Sequence, residues 1–115
     1  KTNQSQVLIT TTEIINQKKP FWGLYSASKA ALEQIAYSYA EETQNTNIKV
    51  NLIDPGIVNT KLRLKAYPGE DKQKITQPSD LSDFFEDILF NNKFTNGELI
   101  RYADWLESSK RFQMT

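Results

Sequence analysis

Tyr25-Ser26-Ala27-Ser28-Lys29 opens a long helical pattern directly after a loop, and its reading decides what the flanking segments are. In a helix, residues four apart project from one face, so the Tyr25 phenol and the Lys29 ammonium become neighbours. A free tyrosine ionises only near pH ~10, and a positive charge beside a phenol stabilises the phenolate. A phenol so tuned can give a proton to a carbonyl oxygen or take one from an alcohol. The pair alone is a weak signal, because a functionless Tyr–Lys contact on a helix surface has the same spacing. Its surroundings carry the weight.

The helical pattern covers about residues 24–43. Leu32, Ile35, Ala36 and Tyr39 fall at i, i+3, i+4 and i+7 and predict one apolar stripe that covers a sheet. Ala27, Ala30, Ala31 and Ala40 keep the other faces small enough for a second element to approach closely. On the N-terminal side, Val7-Leu8-Ile9 is a short continuous apolar run, which predicts a strand buried on both faces of a parallel sheet. Open α/β sheets bind ligands at the C-terminal ends of such strands, and Thr10, Thr11 and Thr12 stand at that end here. Residues 13–24 read as a loop, in which Phe21 and Trp22 either pack on the first helical turn or wall a pocket. On the C-terminal side, Ile48-Lys49-Val50-Asn51-Leu52-Ile53 predicts the next strand and completes a βαβ unit. Asp54-Pro55-Gly56 ends it: proline cannot continue a central ladder, and glycine lets backbone approach a flat ring with no Cβ in the way.

Residues 61–74 mix charges with Pro68-Gly69, show no firm period and read as a loop. Lys61, Arg63 and Lys65 in it read as a solvated face, with contact to an acidic substrate as the alternative. Leu81, Phe84, Phe85 and Ile88 predict a second amphipathic helix that starts near residues 76–79. Gly97-Glu98-Leu99-Ile100-Arg101-Tyr102 predicts a final strand, with Trp105 and Leu106 covering the sheet's end. The tail beyond carries no signal.

Thr12 stands thirteen positions before Tyr25, and Asn51-Leu52-Ile53-Asp54-Pro55-Gly56-Ile57-Val58-Asn59-Thr60 follows the helix. A hydroxyl at a strand end, Tyr-x-x-x-Lys opening a helix, and Asn-x-x-x-Pro-Gly-x-x-x-Thr at the next strand together resemble the short-chain dehydrogenase/reductase (SDR) family, over roughly residues 6–102. The resemblance implies an α/β fold, the C-terminal half of a Rossmann-type doubly wound parallel sheet. It implies an NAD(P)-dependent oxidoreductase, using NAD or NADP for hydride transfer between nicotinamide and a small-molecule carbonyl or alcohol substrate. Tyr25 would be the general acid/base, Lys29 would ease its ionisation and hold the nicotinamide ribose hydroxyls, and Thr12 would hydrogen-bond the substrate oxygen. Thr12 departs from the family pattern, where Ser is usual; Thr keeps the hydroxyl and adds a methyl group. Besides Tyr25 and Lys29, the cofactor-binding positions carried over are Pro55, Gly56, Ile57, Val58 and Thr60. Residues 61–74 would be the variable substrate loop, and the 24–43 helix would pack against its copy in a homo-oligomer. A non-catalytic nucleotide-sensing or regulatory protein on the same fold would keep these residues too, as would an inert fragment of the enzyme.

The only glycines are Gly23, Gly56, Gly69 and Gly97, so the chain contains no glycine-rich turn to cradle a pyrophosphate. The expectation is that these 115 residues are the catalytic half of a longer single domain, with the N-terminal dinucleotide-binding half absent. Fourteen basic and fourteen acidic residues cancel, which removes the electrostatic footing for nucleic acid. No apolar run approaches the ~20 residues that span a bilayer, so no membrane partner is expected. The absence of cysteine and histidine excludes a disulfide framework, thiolate metal sites, most zinc sites and histidine acid–base chemistry. A soluble, cytoplasmic protein without a metal is expected.

Overall fold

The apolar run at residues 48–54 becomes strand β2 (Ile48–Asp54), the centre of the fold in a computed structural model of the chain. The structure describes residues 4–91 and 94–113, the side chains of 111–113 excepted. β2 pairs in parallel with β1 (Ser5–Thr10) on one side and with β3 (Leu99–Arg101) on the other. Helix α1 (Gly23–Glu42) crosses from β1 to β2, as the βαβ reading requires. Between β2 and β3 the chain forms α2 (Lys61–Ala66), a 3-10 turn (Pro78–Leu81) and α3 (Ser82–Phe90), and α4 (Tyr102–Gln113) follows β3.

Successive strand residues point to opposite faces, and the two cores follow that alternation. Val50 and Leu52 are buried with Ala36 and Ala40 of α1, and Val7 and Ile9 pack against them. Ile53 and Ile100 face the other layer, where they are buried with Leu81, Phe84 and Ile88. Burial on both faces is why β2 reads as an almost unbroken apolar run. Of its polar residues, Asn51 is also buried, and its Oδ1 accepts the Glu98 N–H at 2.8 Å.

Of the expected stripe on α1, only Ala36 meets the sheet, joined there by Ala40. Ala36 is fully buried, whereas Leu32, Ile35 and Tyr39 are 38, 63 and 38% exposed. Ala36 and Ala40 stand one turn apart, and their small side chains let the helix lie close over Val50 and Leu52. Asn96 fixes the far end of this contact: its Nδ2 donates to Ala40 O at 2.7 Å and its Oδ1 accepts the Val50 N–H at 2.7 Å.

Four further expectations need correction. β1 is half-buried at Gln6–Ile9, because β2 is its only strand neighbour among the described residues. The 13–24 loop contains a 3-10 turn, Glu13–Asn16. The 61–74 segment is not all loop, since Thr60 caps α2 by accepting the Arg63 N–H on its Oγ1 at 3.1 Å. The featureless tail is helical, and α4 begins at Tyr102, shortening the expected final strand to Leu99–Arg101. Among the described residues no helix is long and apolar enough to cross a membrane.

Phe84 anchors the layer under α4, with the rings of Phe85, Tyr102 and Trp105 at 5.7, 5.4 and 5.3 Å between centroids. Replacing it, Phe84→Ala, is expected to cost ~3–5 kcal/mol, the usual range for deleting a buried aromatic ring. Urea unfolding of the full-length protein should show a lower midpoint at unchanged slope; an unmoved midpoint would remove Phe84 from its anchoring role.

Candidate active site

The ends of β1 and β2 come out of the sheet together. Thr11 N donates to Ile53 O at 2.8 Å, which carries the pairing one residue past β1. Thr11 is buried, and its hydroxyl donates to Glu33 Oε2 of α1 at 2.6 Å. Thr12, half-buried, caps the 3-10 turn by accepting the Ile14 N–H on its Oγ1 at 3.4 Å. That bond leaves the Thr12 hydroxyl proton free to donate.

Tyr25 lies in the first turn of α1 with its ring edge-on to Trp22, 5.5 Å between centroids. Lys29 follows one turn later, and its Nζ donates to Thr10 O at 3.4 Å, tying the helix to the end of β1. Across from them, Gly56 adopts a left-handed φ of +76°, which glycine takes without the steric cost of a Cβ. A Cβ built on Gly56 meets no protein atom within 4 Å, so the space beside its backbone is open. Val58 then bridges to Thr76, and Asn59 N donates to Thr76 O at 2.8 Å. Thr12, Tyr25 and Lys29 line one cleft of about 570 Å³ together with Pro55, Gly56, Ile57, Val58 and Thr60.

Trp22 also lines this cleft, whereas Phe21 is fully exposed with a φ of +69°. Sequence reasoning missed Tyr67, which stacks on Trp22 at 6.0 Å with 24° between the planes. Lys19 Nζ donates to Tyr67 Oη, and the Arg63 guanidinium lies 3.8 Å from the Tyr67 ring centre. Glu70 holds Arg63 by two bonds of 2.8 and 2.7 Å and also accepts from Lys72 at 3.3 Å. The Arg63 bond, with Lys72 assisting, holds the Glu70 carboxyl down at about 2. An aromatic residue amid charges in residues 61–74 was the available signal, but its partner lies 45 positions away.

A protein-family model for short chain dehydrogenases matches residues 1–71, a span that includes Thr12, Tyr25, Lys29 and the stretch from Pro55 to Thr60. The chain belongs to the short-chain dehydrogenase family. It is 34% identical over 85 residues to the uncharacterized oxidoreductase YciK of Escherichia coli K12, covering 74% of this chain and 33% of that protein. A short chain dehydrogenase structure from Salmonella enterica serovar Typhi CT18 superposes with a TM-score of 0.79 at 29% identity, covering 87% of this chain and 42% of that one. A short chain dehydrogenase of E. coli CFT073, solved in complex with NADPH, gives 0.73 at 30% identity and covers 82% of this chain and 39% of that one. The chain thus spans a third of the length of YciK and about two fifths of these structures. The parallel α/β sheet with its helices is the Rossmann-type arrangement of these dehydrogenases.

The floor of the short-chain dehydrogenase cleft carries one strained charge. Asp54 is buried at the end of β2, and burial raises its carboxyl above the ordinary 3.8, with Glu13 and Glu33 adding to the rise. The Gly56 N–H, which donates to Asp54 Oδ1 at 3.0 Å, and Arg101, whose Nε lies 3.7 Å from Oδ2, act the other way without prevailing. A carboxyl raised on folding holds its proton longer in the native state, so the contribution of Asp54 to stability is most favourable below pH 3.8 and falls as pH rises through the folded value. Asp54→Asn keeps the acceptor for Gly56 and removes the titration. Relative to the parent, this variant should therefore gain stability on going from pH 3.5 to pH 7 (~ values bracketing the ordinary carboxylate range), read from urea midpoints at each pH. A parent–variant difference that is the same at both pH values would show that Asp54 carries no burial penalty.

Proposed function

We propose that this chain is the C-terminal, catalytic half of an NAD(P)-dependent oxidoreductase acting on carbonyl or alcohol substrates. The observation that carries the reading is the convergence of Thr12, Tyr25 and Lys29 with the stretch from Pro55 to Thr60 in one cleft. The open space beside Gly56 fits a flat ring lying along the backbone there, with Ile57 and Val58 as apolar neighbours and Thr60 as a hydroxyl within the same cleft. When bound, the nicotinamide supplies or accepts the hydride. NADPH in the E. coli CFT073 structure, at 30% identity, supports this cofactor class.

In the reducing direction, Tyr25 Oη gives its proton to the carbonyl oxygen. Lys29 stands one helical turn away and offers donors to ribose hydroxyls. Thr12 donates its hydroxyl proton to the substrate oxygen as charge develops there. In the oxidising direction the same three groups act in reverse. The exposed Leu32, Ile35 and Tyr39 on α1 support self-association through this helix, and the cysteine-free composition supports a cytoplasmic setting.

Two sets of variants in the full-length protein test the roles. Tyr25→Phe removes the exchanging proton and should lower kcat by at least ~10²-fold at an unchanged melting temperature. Near-normal turnover by this variant would sink the assignment. Thr12→Val deletes both the donor and the cap on Ile14, so it should lose about 10²- to 10³-fold in kcat and cost ~1 kcal/mol of stability. Thr12→Ser keeps both functions and should retain activity. A Val variant that is less stable yet equally active at a temperature where it is folded would leave Thr12 with the cap alone.

A further inference from the structure

The cations around Tyr67 are not equivalent. Arg63 lies over its ring, and Lys72 Nζ donates to its main-chain oxygen at 2.8 Å. Both of these cations have Glu70 as a carboxylate partner and share its single negative charge. Lys19 Nζ sits 4.6 Å from the Tyr67 ring centre and 4.9 Å from that of Trp22, and among the described residues it has no carboxylate partner. The two acids that line the cleft, Glu13 and Asp54, lie instead by Arg101, with oxygens 3.1 and 3.7 Å from its Nε.

Lys19 is half-buried in the cleft wall, where an ammonium without a counter-charge is disfavoured. The two ring faces offset part of that cost through cation–π attraction. Tyr67 Oη takes one of its three donors, which leaves two for a ligand. The position is also informative: the Trp22 ring contacts both Lys19 and the Tyr25 ring, so the charge and the phenol share one indole neighbour.

Resting on the oxidoreductase reading above, we propose that Lys19 receives an anionic group on the substrate, and that the substrate class is carbonyl or hydroxy compounds bearing a carboxylate. The flat or apolar body of such a compound would lie against Trp22 and Tyr67, with its reacting oxygen at Tyr25. Lys19 is then a specificity-determining residue that binds away from the reacting atoms. The competing source of an anion in the same cleft is a phosphate of the cofactor, and the experiment separates the two.

The probes are benzaldehyde and 4-carboxybenzaldehyde, which differ only in the carboxylate, assayed on the full-length protein with NADPH and with NADH. The ratio of kcat/KM for the acid over the neutral aldehyde should favour the acid in the parent. In Lys19→Gln it should fall by roughly tenfold or more, the scale of one hydrogen bond to a charged group, and Lys19→Arg should keep most of it. An unchanged ratio in Lys19→Gln overturns the proposal. So does a loss that falls equally on both aldehydes together with a raised cofactor KM, which assigns Lys19 to a cofactor phosphate. Turnover of neither aldehyde by the parent counts against the oxidoreductase reading rather than against Lys19. Benzoate binding followed by tryptophan fluorescence then decides: saturable binding by the parent that Lys19→Gln abolishes upholds the anion receptor, and no saturable binding by the parent refutes it.

Discussion

The parallel ladder between β1 and β2, prolonged by the Thr11 N–H to Ile53 O bond, is the constraint on which the cleft depends. It sets Thr10 opposite Ile53, so the chain leaves β1 beside the point where Asp54 ends β2. A slip of one residue would turn Leu8 toward α1 and Val7 and Ile9 away from it, and would exchange the roles of two adjacent hydroxyls. In the observed register the buried Thr11 donates its hydroxyl proton to Glu33, while the half-buried Thr12 beside it in the cleft does not. The Lys29 bond to Thr10 O then ties the first turns of α1 to the same strand end. One register therefore positions the residues from both halves of the βαβ unit.

Much of this was legible because strand burial leaves a local mark. Val7-Leu8-Ile9 is a continuous apolar run and residues 48–53 are apolar apart from Lys49 and Asn51, so both read as strand, and the βαβ unit follows from the helix between them. The face of α1 was not legible in the same way. Periodicity weighs large apolar residues, and Leu32, Ile35 and Tyr39 outweigh two alanines on any such scale. Contact with a sheet rewards close approach instead, and Ala36 and Ala40 allow it. α2 was missed for a related reason. A six-residue helix has hardly more than one turn of pattern, and what starts it is the Thr60 cap rather than any periodicity.

The candidate site divides along the same line. Its floor is built of residues at strand ends and in the first turns of one helix, so their order and spacing along the chain reflect their places in space. The outer wall is tertiary. Trp22 and Tyr67 meet across 45 positions, and Glu70 gathers Arg63 and Lys72 around the second of them. In sequence these residues are an aromatic before a helix and a run of mixed charges, which is also how a solvated surface reads. Only the stacking geometry turns them into a wall.

Floor and wall also respond to acid in opposite senses. Glu70 is held at about 2 by Arg63, so whatever stability it lends is complete above the ordinary 4.5 and is lost only as pH falls through the folded value. Its groups are partly exposed, and solvent screening keeps that contribution small. Asp54 is raised by burial, so it destabilises when ionised and ceases to do so once protonated. On acidification from neutral pH, the floor is therefore relieved of its buried charge before the wall gives up its ion pairs. The pairing of Glu70 with Arg63 and Lys72 outlasts the ionisation of Asp54, and across that interval the chain keeps the stack of Trp22 on Tyr67 while the charge beneath Gly56 disappears.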